Sequence, residues 1–186
     1  MAPIEIFFGV FVFVFTLIGL VRGFLKELGV TMVMMFMLFF LSQFEPFLDT
    51  GINRVLALGT RYAVMEDHSL LKCWFFIWVI IGTAFISYEG ETLAFSGQPL
   101  RGPQRMILGA LTGTLNGYLI IGTIWFYMDK FNYPITWLGF SADKLSALAK
   151  GILPFLPIPF LGQPILLGQS LLLYLSILLV LARVIR

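Results

Sequence analysis

Apolar residues fall along this chain in long blocks, broken by short polar or Gly/Pro-rich segments. The blocks cover residues 4–21, 28–44, 70–88, 106–128 and 165–182. None alternates in the way of a half-buried strand, and each approaches the roughly 20 residues that an α-helix needs to cross a bilayer. The pattern predicts an all-α, polytopic membrane helical bundle. It has about five transmembrane helices plus short interfacial helices, in a single membrane domain over residues 1–186. The first block is apolar except for Glu5, Thr16 and Gly19. A secretory signal would carry a basic segment before such a block and a small-residue cleavage site after it. Here no Lys or Arg precedes the block, and Arg22-Gly-Phe-Leu-Lys26-Glu27 follows it, so a retained helix is expected.

The connections differ in character. Residues 22–27 form a short link, so the first two helices are expected to pair as an antiparallel hairpin. Gly23 permits the turn, and Arg22 and Lys26 lie at the membrane surface. Residues 45–69 are polar enough to leave lipid. Ile52, Val55, Leu56, Gly59 and Tyr62 recur at helical spacing there, which predicts a short amphipathic helix on the membrane surface or packed on the protein itself. Lys72 can snorkel from the start of the third helix, with Trp74 and Tyr88 as interfacial anchors. Gly90, Gly97, Pro99, Gly102 and Pro103 mark residues 89–105 as a loop. In residues 129–164, Ser141 is expected to cap a short helix that stops before Gly151 and places Leu145, Leu148 and Ile152 on one face. Pro154, Pro157, Pro159 and Pro164 then exclude a regular spanning helix and predict a segment lying along the membrane or dipping into it.

The fourth block has a second pattern inside the first. Gly109, Gly113 and Gly117 are four apart and share one helix face, with Thr112 and Asn116 on the same stripe. Small residues let a neighbouring backbone approach closely, which is how helices associate where water supplies no driving force. The expected occupant of this groove is the first helix of the same chain, at Gly19 or Thr16, rather than a second copy.

Composition supports a lipid-facing exterior. Of 186 residues, 59% are hydrophobic and 12% charged, and mean hydropathy is +0.95. Soluble domains carry about 25% charged residues. A net charge of +2 gives no reason to expect nucleic acid. The single cysteine, Cys73, excludes an internal disulfide, and the single histidine, His68, excludes a two-histidine metal pair. There is no phosphate-binding glycine loop, zinc spacing or nucleophile elbow, so no catalytic residue, metal or cofactor is expected. Glu89 and Glu91 read as solvated charge at a helix end, and a lone loop histidine is rarely a ligand to a metal or a pigment. Asn116 is the one polar candidate at mid-bilayer depth. Such groups are costly and often functional, but an interhelical hydrogen bond is the simpler role.

Two stretches resemble a known family. Gly19-Leu-Val-Arg22-Gly23-Phe24-Leu-Lys26-Glu27 is similar to the Gly-x-x-Arg-Gly-Phe-x-Arg-Glu signature after the first helix of the colicin V production (CvpA-like) family. Arg105-Met-Ile-Leu-Gly109-Ala-Leu-Thr-Gly113-Thr-Leu-Asn116-Gly117 resembles that family's Arg-x-x-Gly-x-x-x-Gly-x-x-Arg-Gly entry to its fourth helix. The likeness covers roughly residues 1–130, the four-helix region. The Pro-rich connection 131–164 and the C-terminal helix 165–186 lie beyond it. Asn116 replaces a usual basic residue, and Gln104 stands where an acid often precedes the Arg. The resemblance implies a bacterial inner-membrane protein with a non-enzymatic role in the envelope or in export. Two further readings follow from the blocks alone: an accessory subunit of a larger membrane complex, such as a respiratory or photosynthetic one, and, more weakly, a channel or transporter. Partners would be the lipid bilayer and either other membrane proteins or further copies of the chain.

Lys and Arg set an expected orientation. With five spans, Arg22, Lys26, Arg101, Arg105, Arg183 and Arg186 share one side, in short segments beside helix ends. The positive-inside rule weights such segments, so the N-terminus is expected outside and the C-terminus in the cytoplasm.

Overall fold

The computed structural model describes residues 3–59, 69–90, 95, 102–166 and 168–184. Four long helices dominate: α1 (Ile4–Arg22), α2 (Phe24–Gly59), α3 (Ser69–Glu89) and α4 (Pro103–Lys130). All four are long and apolar enough to cross a membrane. Three short helices follow, α5 (Ala147–Ile152), α6 (Pro157–Leu161) and α7 (Leu171–Val184). A small antiparallel hairpin of β1 (Pro164–Leu166) and β2 (Gln169–Ser170) lies just before α7.

The glycine stripe decides where α1 sits. A Cβ added to Gly19 would lie 2.2 Å from the Gly109 carbonyl oxygen and 2.8 Å from the Gly113 Cα. One added to Gly113 would lie 2.4 Å from the Phe15 carbonyl, and one on Gly117 2.8 Å from the Phe15 side chain. Backbone touches backbone, and only glycine allows that. As α1 numbers fall from Gly19 through Phe15 to Phe8, their α4 neighbours rise from Gly109 through Gly117 to Trp125, so the two helices are antiparallel. The Thr16 and Thr114 hydroxyls add a 2.8 Å hydrogen bond at the edge of the seam.

The other faces of α4 bind α2 and α3. Val30, Met34 and Leu38 of α2, Phe76 and Ile80 of α3, and Leu119 and Tyr127 of α4 are buried together. The Phe76 and Tyr127 rings stack in parallel, 4.3 Å apart at 4°. Leu172 of α7 joins this core, and α7 rests mainly on α2. Beneath the start of α1, Trp125, Tyr133, Ile135, Ala149 and Leu156 make a second cluster with Ile4 and Cys73. Pro157 packs on Gly122, where a Cβ would meet its ring at 2.6 Å.

Several sequence expectations change. The link between the first two helices is Gly23 alone, at φ +86°, a conformation side-chain-bearing residues avoid. The second helix does not stop at residue 44. It runs on through Pro46 to Gly59, absorbing the expected amphipathic helix as far as it is described; Arg61 and Tyr62 lie outside the described residues. Polarity marks where a helix leaves an apolar medium, not where its hydrogen bonding ends. Ser146, not Ser141, caps the short helix, its Oγ accepting from the Ala149 N–H at 3.0 Å. That helix passes through Gly151, while Ser141 precedes a 3-10 turn over Ala142–Lys144. In the last apolar block, residues 165–170 belong largely to the hairpin, and α7 has 14 residues. At 1.5 Å per residue it is about 21 Å long, short of a hydrocarbon core of about 30 Å.

Candidate functional site

Polar side chains from all four long helices meet at one end of the bundle. The one-residue link at Gly23 brings the last residue of α1, Arg22, beside the first turn of α2. There Arg22 Nη1 donates to Glu27 Oε1 at 3.0 Å. The Glu27 side chain is fully buried and that of Arg22 is 23% exposed. Among the described residues, Glu27 is the only charged group in the buried set.

The second carboxylate oxygen is held from two other helices. Tyr88 of α3 donates its hydroxyl to Glu27 Oε2 at 3.0 Å. Asn116 of α4 donates Nδ2 to Oε2 at 2.8 Å and also meets the Glu27 backbone carbonyl at 3.0 Å. Thr31, one turn on from Glu27, offers its hydroxyl to Asn116 Oδ1 at 2.7 Å and to the Glu27 carbonyl at 3.0 Å. Arg22 Nη2 donates to the Tyr88 carbonyl at 2.9 Å, and the guanidinium lies 4.5 Å from the Tyr88 ring centroid. The carboxylate thus accepts from three side chains. A buried charge is tolerable only when paired and hydrogen-bonded in this way.

The family-like residues divide into three groups. Arg22, Glu27 and Asn116 form the cluster. Gly19, Gly109, Gly113 and Gly117 form the α1–α4 seam, and Gly23 makes the turn beside the Arg105 side chain. Phe24 is half-buried, while Lys26 and Arg105 are exposed at the same end. Asn116 therefore makes interhelical hydrogen bonds. From the sequence, Arg22 is expected at the membrane surface, Tyr88 at the interface, Glu27 in the link between the first two helices and Glu45 in the polar segment after the second. Instead, Arg22 pairs inward, Tyr88 points into the cluster, and Glu27 and Glu45 both lie within α2. Glu45 pairs with Lys130 near the opposite end. Tyr88 and Thr31 were missed. The available signal was the four-residue spacing of Glu27 and Thr31, which puts both on one face of a helix.

The remaining candidates stand apart. Cys73 is buried in the second hydrophobic cluster, and Glu89 is exposed at the end of α3. His68 and Glu91 lie outside the described residues. Among the described residues, no three His, Cys, Asp or Glu side chains gather at metal-binding distance. The cluster's geometry is that of a lock: each long helix contributes a hydrogen-bonding group, and the acceptors of Glu27 face donors of the same chain. Comparisons with family models, with curated proteins and with solved structures find no match to this chain.

Proposed function

We propose that this chain is a multi-pass protein of the bacterial inner membrane with a non-catalytic role in the envelope or in export, the role that its resemblance to the colicin V production family implies. The observation that carries the reading is the inversion of polarity. The outer faces of the long helices expose Val10, Phe13, Val21, Phe36, Phe40 and Trp78, while Glu27, Asn116, Thr31 and Thr123 are buried. Contiguous apolar exteriors of this extent suit lipid and would drive aggregation in water. Polar groups inside a bilayer face one another because lipid offers them no partner. Engagement of the cluster's donors and acceptors with each other supports a scaffold role over a site that turns over substrate. The N-terminus is proposed to be outside, with Arg22, Lys26 and Arg105 at the cytoplasmic end; the cytoplasmic C-terminus expected from five spans is not retained, because α7 is too short to add a fifth crossing.

Membrane fractionation followed by purification in mild detergent tests this reading. The expected result is an alkali-resistant membrane species that is recovered alone or as a homo-oligomer. Recovery with a stoichiometric set of unrelated subunits would replace the autonomous role by that of an accessory subunit. Recovery in the soluble fraction would overturn the membrane assignment.

A further inference from the structure

α1 and α3 both pack on α4 but stand apart from each other across most of their length. The space between them is an apolar groove of about 730 Å³, walled by residues such as Phe11 and Ile18 of α1 and Ile81 and Phe85 of α3, and floored by Ile124 of α4. The two ends of this groove differ. At the polar-cluster end the Phe15 and Tyr88 rings meet at 5.7 Å and bridge the two walls. At the other end Ile4 and Phe140 line both the groove and a second cavity of about 390 Å³. That cavity brings the polar side chains of Glu5, Ser141, Lys144 and Ser146 together among apolar neighbours such as Leu145. Ser146 donates to Glu5 Oε1 at 2.5 Å, which fixes the acid at the edge of the cavity.

We propose that groove and cavity together bind one phospholipid with a zwitterionic, amine-bearing headgroup. One acyl chain lies between α1 and α3. The phosphate meets Lys144 and the Ser141 hydroxyl, and the ammonium meets Glu5. Charge complementarity selects this occupant, because the cavity presents one acid and one base, as the headgroup does.

The inference rests on the membrane reading, and the test separates the two. The full chain is reconstituted into vesicles carrying a trace of phosphatidylethanolamine with a photoactivatable acyl chain, and flotation is scored first. A chain that does not float overturns both readings. In floated chain, labelling is expected to concentrate on Phe11, Ile81 and Ile124 over the outward-facing Phe13 and Phe36. Ile81→Trp, which fills the groove from a partly exposed position, should lower groove labelling about tenfold, while Phe13→Trp on the outer face should not. Glu5→Gln with Lys144→Gln should abolish the preference over a phosphatidylglycerol probe with the same chain. Uniform labelling of the apolar surface, indifference to Ile81→Trp, equal labelling by both headgroups in the unmutated chain, or interchain crosslinking by Phe11→Cys would each overturn the proposal.

Discussion

Glu27 illustrates how a single residue is tolerated where its chemistry is unfavourable. Its carboxylate is out of contact with solvent and accepts from Arg22, Tyr88 and Asn116. Removing the acid strands three donors, one of them charged. Glu27→Leu is therefore expected to destabilise the bundle by about 3–5 kcal/mol, the range for breaking a buried pair. Glu27→Gln keeps the shape and some hydrogen bonds, and should cost about 1–3 kcal/mol. Asn116→Leu, which leaves the ion pair in place, should cost about 0.6–2 kcal/mol. Unfolding in mixed micelles titrated with SDS gives the order of the three. Equal stability of Glu27→Leu and the unmutated chain would show that the cluster does not hold the helices together. Combining Glu27→Leu with Arg22→Met should recover part of the loss, because the stranded cation goes too.

At the scale of elements, close backbone contact at glycine organises the α1–α4 pair. Gly19→Ala and Gly113→Ala each force a methyl group into space occupied by backbone, and each should cost about 1–3 kcal/mol. Gly9 and Gly82 also lie within helices, but a Cβ there meets no atom within 4 Å. Alanine at those positions should be neutral or stabilising by up to about 1 kcal/mol, since glycine is the poorer helix former. Thermal denaturation in detergent separates the two pairs, and a common response would remove the steric argument. The same seam predicts a crosslink. With hydroxyls 2.8 Å apart, Thr16 and Thr114 replaced by cysteine should oxidise to a disulfide within one chain at high dilution. A product found only between chains would mean that the glycine groove is an interface between copies.

At the scale of the whole molecule, charge and topology are linked through the two ends of the bundle. Arg22, Lys26, Glu27 and Arg105 share one end, and Glu45 and Lys130 lie toward the other. Arg22 has a structural partner, so reversing its charge would disturb the pair as well as the orientation. Lys26→Glu with Arg105→Glu leaves that pair intact and isolates the positive-inside effect. The double variant should insert in mixed orientation, read by glycosylation mapping of N- and C-terminal tags. A single, unchanged orientation would show that these two residues do not set topology.

Helical class and the location of three long helices were legible from residue order, because spanning-length apolar runs and a four-residue glycine period are local properties of the chain. The first helix ends at Arg22, as its run of apolar residues implies, and α3 and α4 fall close to their apolar blocks. The extent of α2 was not legible. Glu45, Pro46 and Asp49 resemble an interruption, yet backbone hydrogen bonds within a helix are indifferent to whether its side chains meet lipid, water or protein. Nor did the sequence reveal that Glu27, Tyr88 and Asn116 share one hydrogen-bonded site. They lie 61 and 89 positions apart along the chain from Glu27, and their chemistry depends on which faces of α2, α3 and α4 turn inward. A helix face is defined by its own spacing, but the partner it meets is chosen by the packing of the whole bundle. Arg22 makes the point most directly. Its position beside an apolar run reads as a surface anchor, and only the one-residue turn at Gly23, together with the seating of α1 on the glycines of α4, directs its guanidinium to a buried acid.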